Sequence, residues 1–200
     1  MRRVVIVGNS GSGKTTLADQ VAERLGVPHV ELDAHYHQAG WTPTPPAEFA
    51  EAVREALDAA EAAAGGWVVC GNYRPVRTSI WARADTIVWL DLPRLLVMWR
   101  VTSRSFIRVV RRTELWNGNR EVLHNLLALH DPDRSVVRWA WDGMEGYRRM
   151  YVPEMASATW ADLHWYRLRS PRAVVEWLES VRPTGRPQAS DGTLDRTQCP

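Results

Sequence analysis

A glycine-rich stretch set between a β-branched run and an amphipathic segment constrains this chain more than any other feature. The order is Arg3-Val4-Val5-Ile6-Val7, then Gly8-Asn9-Ser10-Gly11-Ser12-Gly13-Lys14-Thr15-Thr16, then Leu17-Ala18 through Leu25, closed by Gly26. Glycine, four residues and Gly-Lys-Thr is a spacing that lets consecutive backbone N–H groups turn inward as an anion nest. The helix that follows points the positive end of its dipole at the same spot. The stretch reads as a phosphate-binding loop, with Gly8, Ser10, Gly11, Ser12, Gly13, Lys14, Thr15 and Thr16 as nucleotide contacts. Lys14 is placed to reach the β- and γ-phosphates, and Thr15 to offer its hydroxyl to Mg²⁺. Of 25 basic residues only Lys14 is lysine. A slim ammonium stands where a flat guanidinium fork would not fit.

Two hundred residues suit one domain, here expected over 1–182, with a polar, disordered tail over 183–200. A formal charge of +2 is too near neutral to imply nucleic acid or membrane partners, and neither is expected. Two cysteines, Cys70 and Cys199, give no disulfide framework and no metal cluster, which fits a reducing cytoplasm. The apolar run after Met1-Arg2-Arg3 stops at Gly8, so no secretion signal is read there, and no membrane span is found.

Further along, Val27 to Leu32 reads as a second strand ending at Asp33, Trp67 to Cys70 as a third, Thr86 to Leu90 as a fourth and Leu163 to Leu168 as a fifth. Helical patterns cover 47–64, with Phe49, Val53, Leu57 and Ala60 on one face, and 93–112, 121–129, 135–151 and 171–181. Strands alternating with helices predict an α/β fold: a five-stranded parallel sheet flanked by helices. Such sheets gather their ligands at the carboxyl ends of the strands. There the sequence puts Asp33, then Asn72 and Arg74, then Asp91. Asp33 and Asp91 are candidate Mg²⁺ partners beside Thr15, and Asp91 reads equally as a helix cap ahead of Pro93. His35 and His37 complete no zinc spacing and are expected as exposed loop residues. Arg100, Arg104, Arg108 and Arg111 recur at intervals of four, four and three, along one stripe of a helix. Like charges so stacked repel one another unless an anion neutralises them. Among the tryptophans, Trp67, Trp89 and Trp177 fall in core patterns, whereas Trp41 and Trp116 fall in loops.

With these segments the chain resembles the adenylate-kinase-like P-loop kinases, most closely the small bacterial members labelled topology modulation proteins, over about residues 1–180. Beyond the loop the likeness rests on Cys70-Gly71-Asn72-Tyr73-Arg74, on Val88-Trp89-Leu90-Asp91-Leu92-Pro93, and on the placing of Arg100 and Arg104 after Asp91. The resemblance implies a P-loop NTPase fold with a short helical lid over 108–120 and an acceptor-binding segment over 33–64. It also implies that Arg74 holds the acceptor's phosphate, Arg100 lies over the donor base and Arg104 neutralises the transferring group. The family's acid at the third strand is Cys70 here, and Asp33 is similarly placed to the acid of shikimate and gluconate kinases. The expected activity is phosphoryl transfer from Mg-ATP to a small acceptor, with Lys14, Arg104, Asp33 and Arg108 as catalytic candidates. Asp33, Arg74, Asn72 and Arg111 are the acceptor-binding candidates. A nucleoside monophosphate is favoured as acceptor. A hydroxyl metabolite with Asp33 as base, or a non-catalytic nucleotide-binding regulator touching nucleic acid, are the alternatives.

Overall fold

Strand β1 (Arg3–Gly8) is buried from Val4 to Gly8 because it lies at the centre of a parallel sheet covered on both faces. The computed structural model describes residues 1–121 and 135–182. With β2 (His29–Glu31), β3 (Trp67–Cys70), β4 (Thr86–Leu90) and β5 (His164–Leu168), β1 forms a sheet of order β2-β3-β1-β4-β5. All four pairings are parallel, and Ile6 sits opposite both Cys70 and Val88. Alternation along the strands divides the core in two. Val5, Val7, Val69, Ile87 and Trp89 face α3 (Pro46–Ala64), α4 (Arg74–Trp81) and α6 (Val136–Met155). Val4, Ile6, Val68, Val88 and Leu90 face α1 (Lys14–Leu25) and α7 (Pro171–Ser180). The stripe Phe49, Val53, Leu57 and Ala60 is the buried face of α3, as its periodicity predicts, and Trp67, Trp89 and Trp177 lie in the core.

Several boundaries differ from the sequence reading. Strand β2 ends at Glu31, and Asp33 lies instead in a one-turn helix, α2 (Leu32–Tyr36). Helix α4 has no counterpart in the sequence reading. Helix α5 (Arg94–Arg111) ends at Arg112 in the left-handed conformation, at φ 50°. The lid expected over 108–120 thus starts as the last turn of α5 and continues as a loop. That loop carries one 3-10 turn, Trp116–Gly118, and is closed by an antiparallel bridge between Glu114 and Arg120. The expected helix over 121–129, apart from Glu121, and the tail over 183–200 lie outside the described residues. Among the described residues no helix is long and apolar enough to cross a membrane.

Candidate active site

The phosphate loop leaves β1 at Gly8, which Asn72 clamps from the next strand. The Asn72 side chain accepts from Gly8 N at 3.0 Å and donates to Gly8 O at 2.6 Å. Asn9 then bridges outward, donating to Ala140 O at 2.5 Å and accepting from Ser10 N at 2.9 Å. Gly11 is fixed by close approach, since a β-carbon there would lie 2.8 Å from Val97 O in α5. Gly13 caps α1 at φ 95° and leaves the first-turn N–H groups of that helix without intrahelical partners, free for an anion. Lys14 Nζ is held 3.0 Å from Asn9 O. Desolvation draws its ammonium below the ordinary lysine value, while Asp33 opposes that shift.

The loop opens on a cavity of about 1140 Å³, with room for a nucleotide and a small acceptor together. Ser10, Gly11, Gly13, Lys14, Thr15 and Thr16 line it from the loop, Arg104 and Arg108 from α5, and Asp33, Tyr73 and Arg74 from the strand ends. Gly8 and Ser12 stand behind that lining as part of the loop's frame. Arg104 donates to Ser10 Oγ at 2.9 Å, and its buried Nε has no partner among the described residues. Burial, and then Arg108, lower the Arg104 pKa from its ordinary value. A phosphate oxygen would supply the missing acceptor. Arg108 pairs with Glu121 at 2.9 Å. Arg74 is exposed at the rim with no ion pair among the described residues. Asp33 Oδ1 accepts from the Tyr73 hydroxyl at 2.6 Å. Burial and then Asp33 push the Tyr73 hydroxyl well above the ordinary tyrosine range, so it stays a donor.

Three of the expected site residues are corrected by these contacts. Asp91 is not free for a cation: Arg148 Nε holds Oδ1 at 2.8 Å, and Arg167 holds Oδ2 through Nε at 3.0 Å and Nη2 at 2.6 Å. Asn72 lines the cavity, and its amide is tied to both the N–H and the C=O of Gly8, which makes it part of the loop's frame. Arg111 is exposed on the last turn of α5 and stands outside the cavity lining, because the stripe outruns the site. Arg100 lies beside the loop, its guanidinium 3.9 Å from the β-carbon position of Gly13. His37 is not an exposed loop residue; it packs against Tyr36, Trp41 and Trp116, and burial lowers its pKa.

Glu31, Tyr73, Trp139 and Tyr147 reach the cavity although the sequence does not single them out, and so do the two loop tryptophans, Trp41 and Trp116. Glu31 Oε1 accepts from Thr15 Oγ1 at 2.8 Å and Oε2 from Trp116 Nε1 at 2.7 Å. Cys70 Sγ lies 3.8 Å from Thr15 Oγ1 and 3.2 Å from His29 Nε2. Burial, with Glu31 nearby, pushes its thiol up to about 12, so it is neutral and no hard-cation ligand.

A phosphate loop between the first strand and first helix of a β2-β3-β1-β4-β5 parallel sheet defines an α/β fold of the P-loop NTPase class. A family model described as "ATPase family associated with various cellular activities (AAA)" matches residues 4–72, which hold that loop and the first three strands. No curated protein matches the chain significantly. Among solved structures it is similar to a sugar kinase from Janibacter sp. HTCC2649, at 22% identity and TM-score 0.44, covering 88% of this chain and 91% of that one. It is also similar to shikimate kinase from Bacteroides thetaiotaomicron, at 16% identity and TM-score 0.47, covering 89% and 94%. A gluconokinase from Sinorhizobium meliloti 1021 gives 16% identity and TM-score 0.46, covering 89% and 87%.

Proposed function

We propose that the protein is an ATP-dependent phosphotransferase that moves the γ-phosphoryl group onto a hydroxyl of a small acceptor, with Asp33 as general base. The observation that carries this reading is Asp33 lining the same cavity as Lys14, Thr15 and Arg104, with Oδ1 held by Tyr73 and Oδ2 unengaged among the described residues. The acceptor oxygen attacks the γ-phosphorus in line and gives its proton to Asp33, and the bond to the β–γ bridging oxygen breaks to release ADP. Lys14 and Arg104 offset charge on the equatorial oxygens, and Arg108 stands next to them. Thr15 Oγ1 and the Asp33 carboxylate are oxygen donors that fit a hard divalent cation and would hold Mg²⁺, which supplies charge neutralisation across the β- and γ-phosphates when bound. Arg100 lies on the donor side of the loop, and Arg74 faces the acceptor.

A nucleoside monophosphate acceptor needs a cationic clamp and no base. Among the described lining residues, with Lys14 and Arg104 at the loop and Arg108 paired to Glu121, Arg74 remains for that clamp, and the carboxylates of Glu31, Asp33, Glu114 and Glu121 along the wall oppose a second phosphate. A screen of hydroxyl metabolites and nucleoside monophosphates for ADP release, with Lys14→Ala as blank, tests the reading. Asp33→Asn should lower turnover of a hydroxyl acceptor about 10²–10⁴-fold while ATP still binds. Phosphorylation of a nucleoside monophosphate that Asp33→Asn leaves intact would reverse the choice of acceptor. Tight ATP binding without transfer to any acceptor would point to the regulator.

A further inference from the structure

Glu31 lines the cavity and makes two side-chain hydrogen bonds that join distant parts of the molecule. It accepts the proton of the Thr15 hydroxyl at 2.8 Å, and it is held in turn by the indole N–H of Trp116 at 2.7 Å. A hydroxyl has one proton and two lone pairs. With the proton committed to a carboxylate, the Thr15 hydroxyl turns its lone pairs away from Glu31; Cys70 Sγ lies 3.8 Å from one side of the oxygen and the other side is left for a cation, and the negative charge behind the hydroxyl raises its donor strength. Each Glu31 oxygen already accepts one hydrogen bond, which directs the carboxylate onto Thr15 and Trp116. Trp116 does not stand alone either. Its loop is clasped to residues 34–41: Asn117 Nδ2 donates to His37 O at 2.6 Å, Asn119 Nδ2 donates to Gln38 O at 2.9 Å, and Trp41 N donates to Asn119 Oδ1 at 2.8 Å.

We infer that Glu31 is a positioning residue for the cation that accompanies the nucleotide, orienting Thr15, and that Trp116 fixes Glu31 so that the 112–121 loop sets the strength of cation binding. This rests on the phosphotransferase reading above but adds a role that neither the loop motif nor the strand-end acids supply. Outer-shell partners of this kind are worth about 10–100-fold in metal affinity.

The test is calorimetry on the full chain with a non-hydrolysable ATP analogue, in Mg²⁺ and again in chelator. Glu31→Gln should cut the Mg²⁺-dependent gain in analogue affinity about tenfold or more, Trp116→Phe should cut it less, and both should leave metal-free affinity unchanged. A merely structural defect would lower both affinities together. As a second readout, the Trp116 indole N–H resonance, assigned through Trp116→Phe, should move upfield in Glu31→Gln as its charged acceptor is lost. A Mg²⁺-dependent gain equal to wild type in both variants overturns the inference while leaving the phosphotransferase reading intact. An analogue that fails to bind wild type in either condition overturns both.

Discussion

Cys70 ends β3 where it touches both Thr15 and His29, and its environment makes it inert rather than reactive. Burial raises its thiol from an ordinary 9.0 to about 12, and the neighbouring Glu31 carboxylate adds to the shift. The sign follows from linkage: the folded state holds the proton more tightly, so this stabilisation is complete below about pH 9 and is lost as pH climbs toward 12. In the native protein Cys70 should therefore resist alkylation by iodoacetamide at pH 8 and become reactive only on denaturation; fast labelling of Cys70 in the folded Cys199→Ser variant at pH 8 would contradict this. Arg104 presents the opposite case, a buried cation short of an acceptor. Arg104→Ala should lower turnover about 10³-fold or more with a smaller effect on ATP affinity, measured by comparing kcat with the dissociation constant. Equal losses in the two would mean that it serves binding alone.

At the scale of elements, the phosphate loop is held by its neighbours as much as by its own glycines. Asn72 spans the gap between β3 and β1 with two hydrogen bonds to Gly8, and the Tyr151 hydroxyl from α6 braces its amide at 3.2 Å. Asn72→Ala should leave the Gly8 N–H and C=O without these partners at a cost of about 1–3 kcal/mol, seen as a lower urea midpoint together with weaker ATP binding. The same variant with unchanged stability and a raised acceptor KM would restore Asn72 as a substrate residue. These contacts also explain what was legible beforehand. The loop, α1 and the buried stripe of α3 are local patterns, written in spacings of one to four residues, and they appear where the sequence puts them. The ion pairs of Asp91 are not legible in the sequence because its position after β4 is local while its partners, Arg148 and Arg167, are 57 and 76 residues away. Glu31 stayed hidden for the same reason: alternation along β2 places it, but nothing nearby announces Trp116, 85 residues on. Helix α4, eight residues opening on Arg-Pro, is too short for its period to show.

Across the whole molecule, Asp91 ties the carboxyl end of the sheet to α6. Its backbone N–H donates to Leu168 O at 3.0 Å beside the β4–β5 pairing, while its carboxylate binds Arg167 of β5 and Arg148 of α6. Arg167 in turn stacks on Trp89 of β4 at 4.3 Å, so the charge pair sits on the aromatic core it helps to order. An acid whose oxygens are both taken by guanidinium groups orients the packing of elements, and Asp91 stands outside the cavity lining. Breaking a buried pair by removing one partner costs about 3–5 kcal/mol, and this one should cost less because the Arg148 side chain is 38% exposed and water screens it. Asp91→Asn should therefore lower the urea midpoint by an amount equivalent to about 2–3 kcal/mol and leave the Mg²⁺ concentration needed for half-maximal activity unchanged. Arg148→Gln should reproduce part of the loss, and the double variant should lose less than the sum of the two, since the residues share one interaction. The reverse pattern, in which Asp91→Asn folds as stably as wild type but demands more Mg²⁺, would return Asp91 to the cation site and require the two arginines to release it when the nucleotide binds.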